Sequence, residues 1–228
     1  MADPVFLITG ASSGIGAASA RAASAAGWRV ALASRSADRL HELADELGGP
    51  ERAFPIACDV TEFEQQQAMV AATLEHFGTI DAVFANAGIG SRPGMNREPP
   101  EQWRDLVLTN VLGPALTVRA SLEALERTQG HLILTGSLAA RFIQPGSLYS
   151  ATKAAVAVIA ETTRAAVVGT GVRVTLLSPG VVDTPLFARP PKISLTAEDI
   201  ARAVVYAISQ PQHVDLGEIA IRPLSPAE

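Results

Sequence analysis

Cysteine is almost missing from this chain: Cys58 is the only one in 228 residues. A lone thiol closes no internal disulfide, which suits a reducing compartment and leaves the fold to its core. Aromatic residues are scarce at 5%, with 2 tyrosines and 2 tryptophans. Positive charge is not in excess either, since 18 Lys+Arg stand against 23 Asp+Glu, a net charge of −5. Without a basic cluster, a nucleic-acid footprint is excluded. No apolar run nears the roughly 20 residues of a membrane span. The opening Met-Ala-Asp-Pro lacks the basic start of a signal peptide. These absences lead us to expect a soluble cytoplasmic protein with no membrane and no nucleic-acid partner.

Apolar residues are abundant, at 48% of the chain with a mean hydropathy of +0.23. That fraction excludes disorder, and a chain of this size buries about 70–75% of its unfolded surface. Short apolar runs recur at 5–9, 29–34, 53–57, 82–85, 131–135, 172–177 and 218–222. They are continuous rather than alternating, as in parallel strands covered on both faces. Helical stretches lie between them at 15–26, 37–47, 62–77, 101–127, 148–168 and 197–209. Thr61 with Glu64, and Thr196 with Asp199, have the spacing of capping boxes. Gly27, Gly78, Gly130 and Gly171 punctuate helix-to-strand returns. The Gly88–Pro100 patch has the size of a surface loop, and no linker or repeat divides the chain. The expected fold is α/β: a single doubly wound Rossmann domain over residues 1–228, with a seven-stranded parallel sheet and helices on both faces. Such sheets bind ligands beyond the carboxyl ends of their strands.

The segment Thr9-Gly-Ala-Ser-Ser-Gly-Ile-Gly16 follows the first strand and opens a helix. Gly10 permits the tight turn, Gly14 admits a pyrophosphate close to backbone, and Gly16 lets helix and strand pack closely. Ser12, Ser13 and Ile15 complete the loop, and the helix start offers free N–H groups to an anion. The strand-before, helix-after context makes this a dinucleotide site. NAD specificity calls for a carboxylate near the end of the second strand. Ser34 and Arg35 stand there instead, so a 2′-phosphate is expected and NADP(H) is preferred over NAD(H). Asp59, with Val60 beside it, is placed to meet the adenine, and Asn86-Ala87-Gly88 ends the fourth strand under the cofactor. Turns favour Asp and Asn for their own reasons, so the residues alone leave both readings open there.

Tyr149 and Lys153 are four apart, so both leave one face of a helix. A nearby ammonium lowers a tyrosine pKa from about 10 toward neutrality. A phenol so tuned exchanges protons with a carbonyl or an alcohol. Ser137 ends the fifth strand and is positioned to hold the same oxygen.

Together these motifs resemble the short-chain dehydrogenase/reductase (SDR) family over essentially the whole chain. The matching residues are the Thr9–Gly16 loop, Asn86-Ala87-Gly88, Asn110, Ser137, Tyr149-x-x-x-Lys153 and Pro179-Gly180 with Thr184. The resemblance implies that Tyr149 is the general acid/base, Ser137 positions the carbonyl, and Lys153 binds the nicotinamide ribose and tunes Tyr149. It implies that Asn110 kinks its helix and holds a water connecting Lys153 to solvent. Pro179, Gly180, Val182 and Thr184 would meet the carboxamide, and Arg35 matches the family's NADP-type position. Ala85 stands where many members place another Asn.

The implied reaction is hydride transfer between nicotinamide and the carbonyl or alcohol carbon of a small substrate. Leu138, Phe142, Ile143, Gln144, Pro145, Val181, Val182, Leu186 and Phe187 flank the constellation. Most are apolar, so an uncharged, hydrophobic carbonyl or alcohol is expected. Arg141 offers an acidic substrate a partner, although a loop arginine pointing to water is the simpler reading. The stretch between Thr184 and Thr196 is short for a family substrate lid and is stiffened by Pro185, Pro190 and Pro191, which suggests an open site. The Ala/Val-rich helix after Ala151 is apolar on several faces and must be buried, within the chain or against another subunit. The resemblance implies a homodimer or homotetramer. A non-catalytic NADP(H)-binding redox sensor, an NAD-dependent alcohol dehydrogenase of the same family, and an epimerase or dehydratase on this scaffold are the alternatives. The sensor reading expects loss of Ser, Tyr or Lys, and all three are present.

Overall fold

The computed structural model describes residues 3–92, 94–142, 145–186 and 192–224. Seven parallel strands form one sheet in the order β3-β2-β1-β4-β5-β6-β7. They are β1 Val5–Thr9, β2 Arg29–Ser34, β3 Ala53–Ala57, β4 Ala82–Ala85, β5 His131–Thr135, β6 Arg173–Pro179 and β7 Glu218–Ile221. The crossover helices are α1 Gly14–Ala25, α2 Ala37–Glu46, α3 Phe63–Phe77, α4 Pro100–Val107, α5 Gly113–Thr128, α6 Leu148–Ala166 and α7 Ala197–Ile208. Strand order reverses between β1 and β4, so their carboxyl ends diverge into a crevice.

The continuous apolar runs are explained by burial on both faces. Val5 and Leu7 point into one core layer with Val83, Met69, Leu125 and Val156. Phe6 and Ile8 point into the other with Phe84, Leu40, Ile200 and Val204. The edge strands β3 and β7 are only partly covered. No helix among the described residues is long and apolar enough to cross a membrane.

Several expectations change in detail. Thr196 and Asp199 form the expected capping box, each side chain bonding the other's backbone N–H. Thr61 does not cap α3: its hydroxyl donates to Asp59 Oδ1 instead, at 2.8 Å. The left-handed residue before β5 is Gln129, φ 51°, rather than Gly130. Gly130 is needed for space, since a Cβ there would lie 2.7 Å from the Asp81 carbonyl oxygen. The single helix expected over 101–127 is three pieces, α4, a π-helical turn Leu108–Leu112 and α5. Pro114 explains the break, because it has no N–H for the Asn110 carbonyl and its ring crowds that carbonyl. Within this chain the helix α6 buries one face: Val156, Ala160 and Thr163 face the core, while Val158 is 61% exposed.

Candidate active site

The carboxyl ends of the strands open into a cleft of about 950 Å³. At one end lies the loop between β1 and α1. Gly10 and Gly14 hold φ angles of 68° and 53°, a left-handed conformation that other residues adopt at a cost. A Cβ on Gly16 would stand 2.2 Å from the Gly10 carbonyl oxygen, so helix and loop touch there. The N-cap Ser13 makes no side-chain bond to the first turn of α1, and no acidic side chain stands in that turn. An uncapped helix start with no carboxylate nearby fits an anionic phosphate group.

Further along the same end, Ser34 is buried and accepts from the Ser36 N–H at 3.1 Å. Arg35 reaches into the open, its side chain 70% exposed, with Nη1 3.9 Å from Asp59 Oδ2. No carboxylate sits on β2 to meet a ribose. Asn86 ties three strand ends together: its Nδ2 donates to Thr9 O at 3.1 Å and its Oδ1 accepts from Thr135 Oγ1 at 3.1 Å. It thereby anchors Ala87 and Gly88 beneath the cleft.

At the other end the helix α6 projects Tyr149 and Lys153 toward the strand ends. The Lys153 ammonium is buried, donates to the Thr135 carbonyl at 2.8 Å, and lies 5.7 Å from the centre of the Tyr149 ring. Burial pulls its pKa down to about 8. Burial holds the Tyr149 phenol above its ordinary value, and the facing Ser137 hydroxyl pulls weakly the other way. The direction is opposite to the expected lowering of Tyr149, because desolvation of the phenolate is the leading cause. Ser137 is itself held at the start of a short 3₁₀ turn, Leu138–Ala140. Its Oγ accepts from the Ala139 N–H at 3.1 Å and donates to the Pro179 carbonyl at 3.4 Å.

Asn110 lies under this end rather than in the cleft wall. Its side chain clasps Ile89, accepting from Ile89 N at 2.8 Å and donating to Ile89 O at 2.9 Å, and it reaches Thr152 Oγ1 at 3.3 Å. Gly88 separates it from Lys153: a Cβ there would stand 3.3 Å from Asn110 Oδ1 and 3.7 Å from Lys153 Nζ.

The cleft therefore brings together Gly10, Ser12, Ser13, Gly14, Ile15, Ser34, Arg35, Asp59, Val60, Asn86, Ala87, Gly88, Ser137, Tyr149, Lys153, Pro179, Gly180, Val182 and Thr184. Gly16 and Asn110 support it from behind. Leu138, Phe142, Val181 and Leu186 line it, whereas Pro145 does not. Ile143, Gln144, Phe187, Pro190 and Pro191 lie outside the described residues. Arg141 does not line the cleft: it is exposed to water, as the simpler reading expects, and pairs with Glu218.

Comparison with known proteins agrees with this fold. The family model for the short chain dehydrogenases matches residues 4–192. The chain belongs to the short-chain dehydrogenase family. An uncharacterized oxidoreductase of Staphylococcus epidermidis is 37% identical over 229 aligned positions, covering 97% of this chain and 98% of that protein. An alcohol dehydrogenase from the archaeon Thermococcus sibiricus, solved with 5-hydroxy-NADP, superposes with a TM-score of 0.89 at 33% identity, covering 99% of both chains. A 3-ketoacyl-(acyl-carrier-protein) reductase from Brucella melitensis, solved with NADH, gives a TM-score of 0.90 at 26% identity over 96% of each chain.

As a short-chain dehydrogenase, the chain is an oxidoreductase of a nicotinamide-dependent fold. Sequence reasoning missed the wall after β4, where Ile89, Gly90, Ser91, Arg92 and Glu98 line the cleft. The signal was available, since every segment leaving the carboxyl end of a strand in such a sheet is a ligand candidate. The Gly and Pro content of residues 88–100 instead suggested a plain surface loop.

Proposed function

We propose that this protein is an NADP(H)-dependent oxidoreductase acting on the carbonyl or alcohol carbon of a small, uncharged, hydrophobic substrate. The observation that carries the reading is the convergence of Ser137, Tyr149 and Lys153 in one cleft with an uncapped helix start. The first-turn N–H groups of α1 hold the pyrophosphate, Arg35 and Ser34 the 2′-phosphate, and Asp59 with Val60 the adenine. Lys153 holds the nicotinamide ribose, and the Pro179–Thr184 segment holds the carboxamide. When bound, the cofactor supplies or accepts the hydride at the substrate carbon.

The chain's own residues manage the proton. Ser137, oriented by the Ala139 N–H, turns its hydroxyl proton from the Pro179 carbonyl to the substrate carbonyl oxygen and fixes that oxygen beside the Tyr149 hydroxyl. The raised pKa keeps Tyr149 protonated at neutral pH, so it is ready to give its proton to that oxygen as the alcohol forms. The Lys153 ammonium, anchored on Thr135, stabilises the phenolate left behind. Asn110 keeps Ile89 and Gly88 in place beside Lys153. Alcohol oxidation runs the same steps in reverse.

The test follows nicotinamide absorbance with a panel of hydrophobic ketones and aldehydes, using NADPH and NADH. Tyr149→Phe is expected to lose about 10²–10⁴-fold in turnover while still binding NADPH, and activity that survives the change would overturn the mechanism. Arg35→Ala is expected to weaken NADPH and leave NADH alone, and a wild-type preference for NADH would overturn the cofactor assignment. Tight NADPH binding without turnover of any carbonyl would favour a redox sensor.

A further inference from the structure

The wall after β4 contains two polar atoms that no other described residue serves. Glu98 and Ser91 both line the cleft. Glu98 Oε1 accepts from the Arg92 N–H at 2.7 Å. Glu98 Oε2 and Ser91 Oγ are buried and have no hydrogen-bond partner among the described residues. Buried polar atoms are normally paired, so two orphans in the wall of one ligand cleft mark a place for a polar group from outside.

The backbone places this wall at the reacting end of the cleft. Its start is clasped by Asn110 through Ile89. Gly90 runs beneath Leu186, where a Cβ would come within 3.3 Å of the leucine side chain. Gly94 donates to the Gly146 carbonyl at 3.0 Å, three residues before Tyr149. Ser91 thus sits between a segment packed under Leu186 and one bonded to the approach of the Tyr149 helix.

We propose that Glu98 and Ser91 form a second polar subsite, which selects substrates carrying a hydrogen-bond donor, a hydroxyl or an ammonium, besides the reacting carbonyl or alcohol. A carboxylate oxygen only accepts, so an O–H or N–H satisfies it and an ether or ester oxygen does not. The Ser91 hydroxyl serves the same group as a second partner. The apolar side chains Leu138, Phe142 and Leu186 take the remainder of the molecule. This rests on the proposed function's placement of the carbonyl at Tyr149, and it replaces the wholly uncharged, hydrophobic substrate by one that carries such a donor on an apolar frame.

The experiment compares acetophenone with its α-hydroxy, α-methoxy and α-amino derivatives. Binding to the NADP⁺-loaded protein is followed by ligand-detected NMR, and turnover by NADPH oxidation. The α-hydroxy ketone is expected to bind about tenfold or more tighter than the α-methoxy ketone, the size of a hydrogen bond to a charged group. Glu98→Leu is expected to remove that preference and Ser91→Ala to reduce it. Glu98→Gln, whose single amide oxygen is held by the Arg92 N–H so that its NH₂ group faces the subsite, is expected to lose the preference for hydroxyl and ammonium alike. Equal binding of the hydroxy and methoxy ketones by wild type, or a preference that persists in Glu98→Leu, would overturn the subsite. Binding preference without turnover of any ketone would overturn the proposed reaction and leave the subsite standing.

Discussion

Lys153 shows how much a single side chain's environment decides. In the sequence it stands four residues after Tyr149, a spacing that brings an ammonium to a phenol on one helix face. In the fold both groups are buried, and burial penalises each charged form. The result is a tyrosine raised and a lysine lowered to about 8. The pair therefore carries its proton at neutral pH and loses the ammonium first as pH rises. Carbonyl reduction is expected to fall as pH passes upward through about 8, because the uncharged amine no longer stabilises the phenolate. A pH profile of kcat/KM for reduction checks this, and a profile flat from neutrality to well above that value would contradict it. The pairing was legible from spacing; the direction of the tyrosine shift was not, because desolvation depends on residues brought from β5 and β6.

At the scale of elements, the β1–loop–α1 unit is almost entirely local in origin. Its strand boundaries, its turn glycines and its helix start follow from neighbouring residues, and the observed β1 agrees with the sequence reading. Gly16 is the strictest of these positions, since its Cβ would overlap the Gly10 carbonyl oxygen at 2.2 Å. A backbone atom cannot swing aside as a flexible side chain can. Gly16→Ala is expected to cost about 1–3 kcal/mol of stability, as overpacking does, and to weaken NADPH binding by displacing the Gly10 turn. Denaturant unfolding and cofactor titration of the variant test both, and wild-type values in both would refute the close-packing role. The α4–π–α5 segment shows the opposite case. Pro114 was in plain view, yet the periodicity ran through it, and only the clasp between Asn110 and Ile89 reveals what the break is for.

The molecule as a whole rests on its sheet, and one buried group links that sheet's stability to pH. His131 begins β5, with Nε2 2.7 Å from Thr175 Oγ1. Thr175 donates its own proton to the Leu216 carbonyl at 2.7 Å, so His131 is the donor to Thr175 through Nε2. Burial first, and the Arg173 charge second, pull its pKa from 6.5 to about 3. The unfolded chain binds a proton below 6.5 that the folded chain refuses until about 3, so stability is full above that window and declines as pH falls through it. The decline amounts to about 1.4 kcal/mol per pH unit. Urea unfolding of wild type and His131→Gln between neutral and acidic pH isolates this contribution, since carboxylates act alike in both. Parallel curves for the two proteins would refute the assignment.

The seven-stranded parallel sheet, the glycine loop and the spacing of Tyr149 and Lys153 follow from residues close together in the chain. Hydrophobic runs, turn residues and helical periodicity act over a few neighbours, so they can be read in order. The tertiary structure decided what depends on segments far apart. It placed Arg141 on Glu218 instead of in the cleft, turned the Thr61 hydroxyl to Asp59, and left Val158 exposed on a helix that reads as apolar throughout. It also raised the Tyr149 pKa and put Ser91 and Glu98 into the cleft wall. Burial and electrostatic field are sums over all surrounding atoms, and most of those atoms belong to residues that only folding brings near.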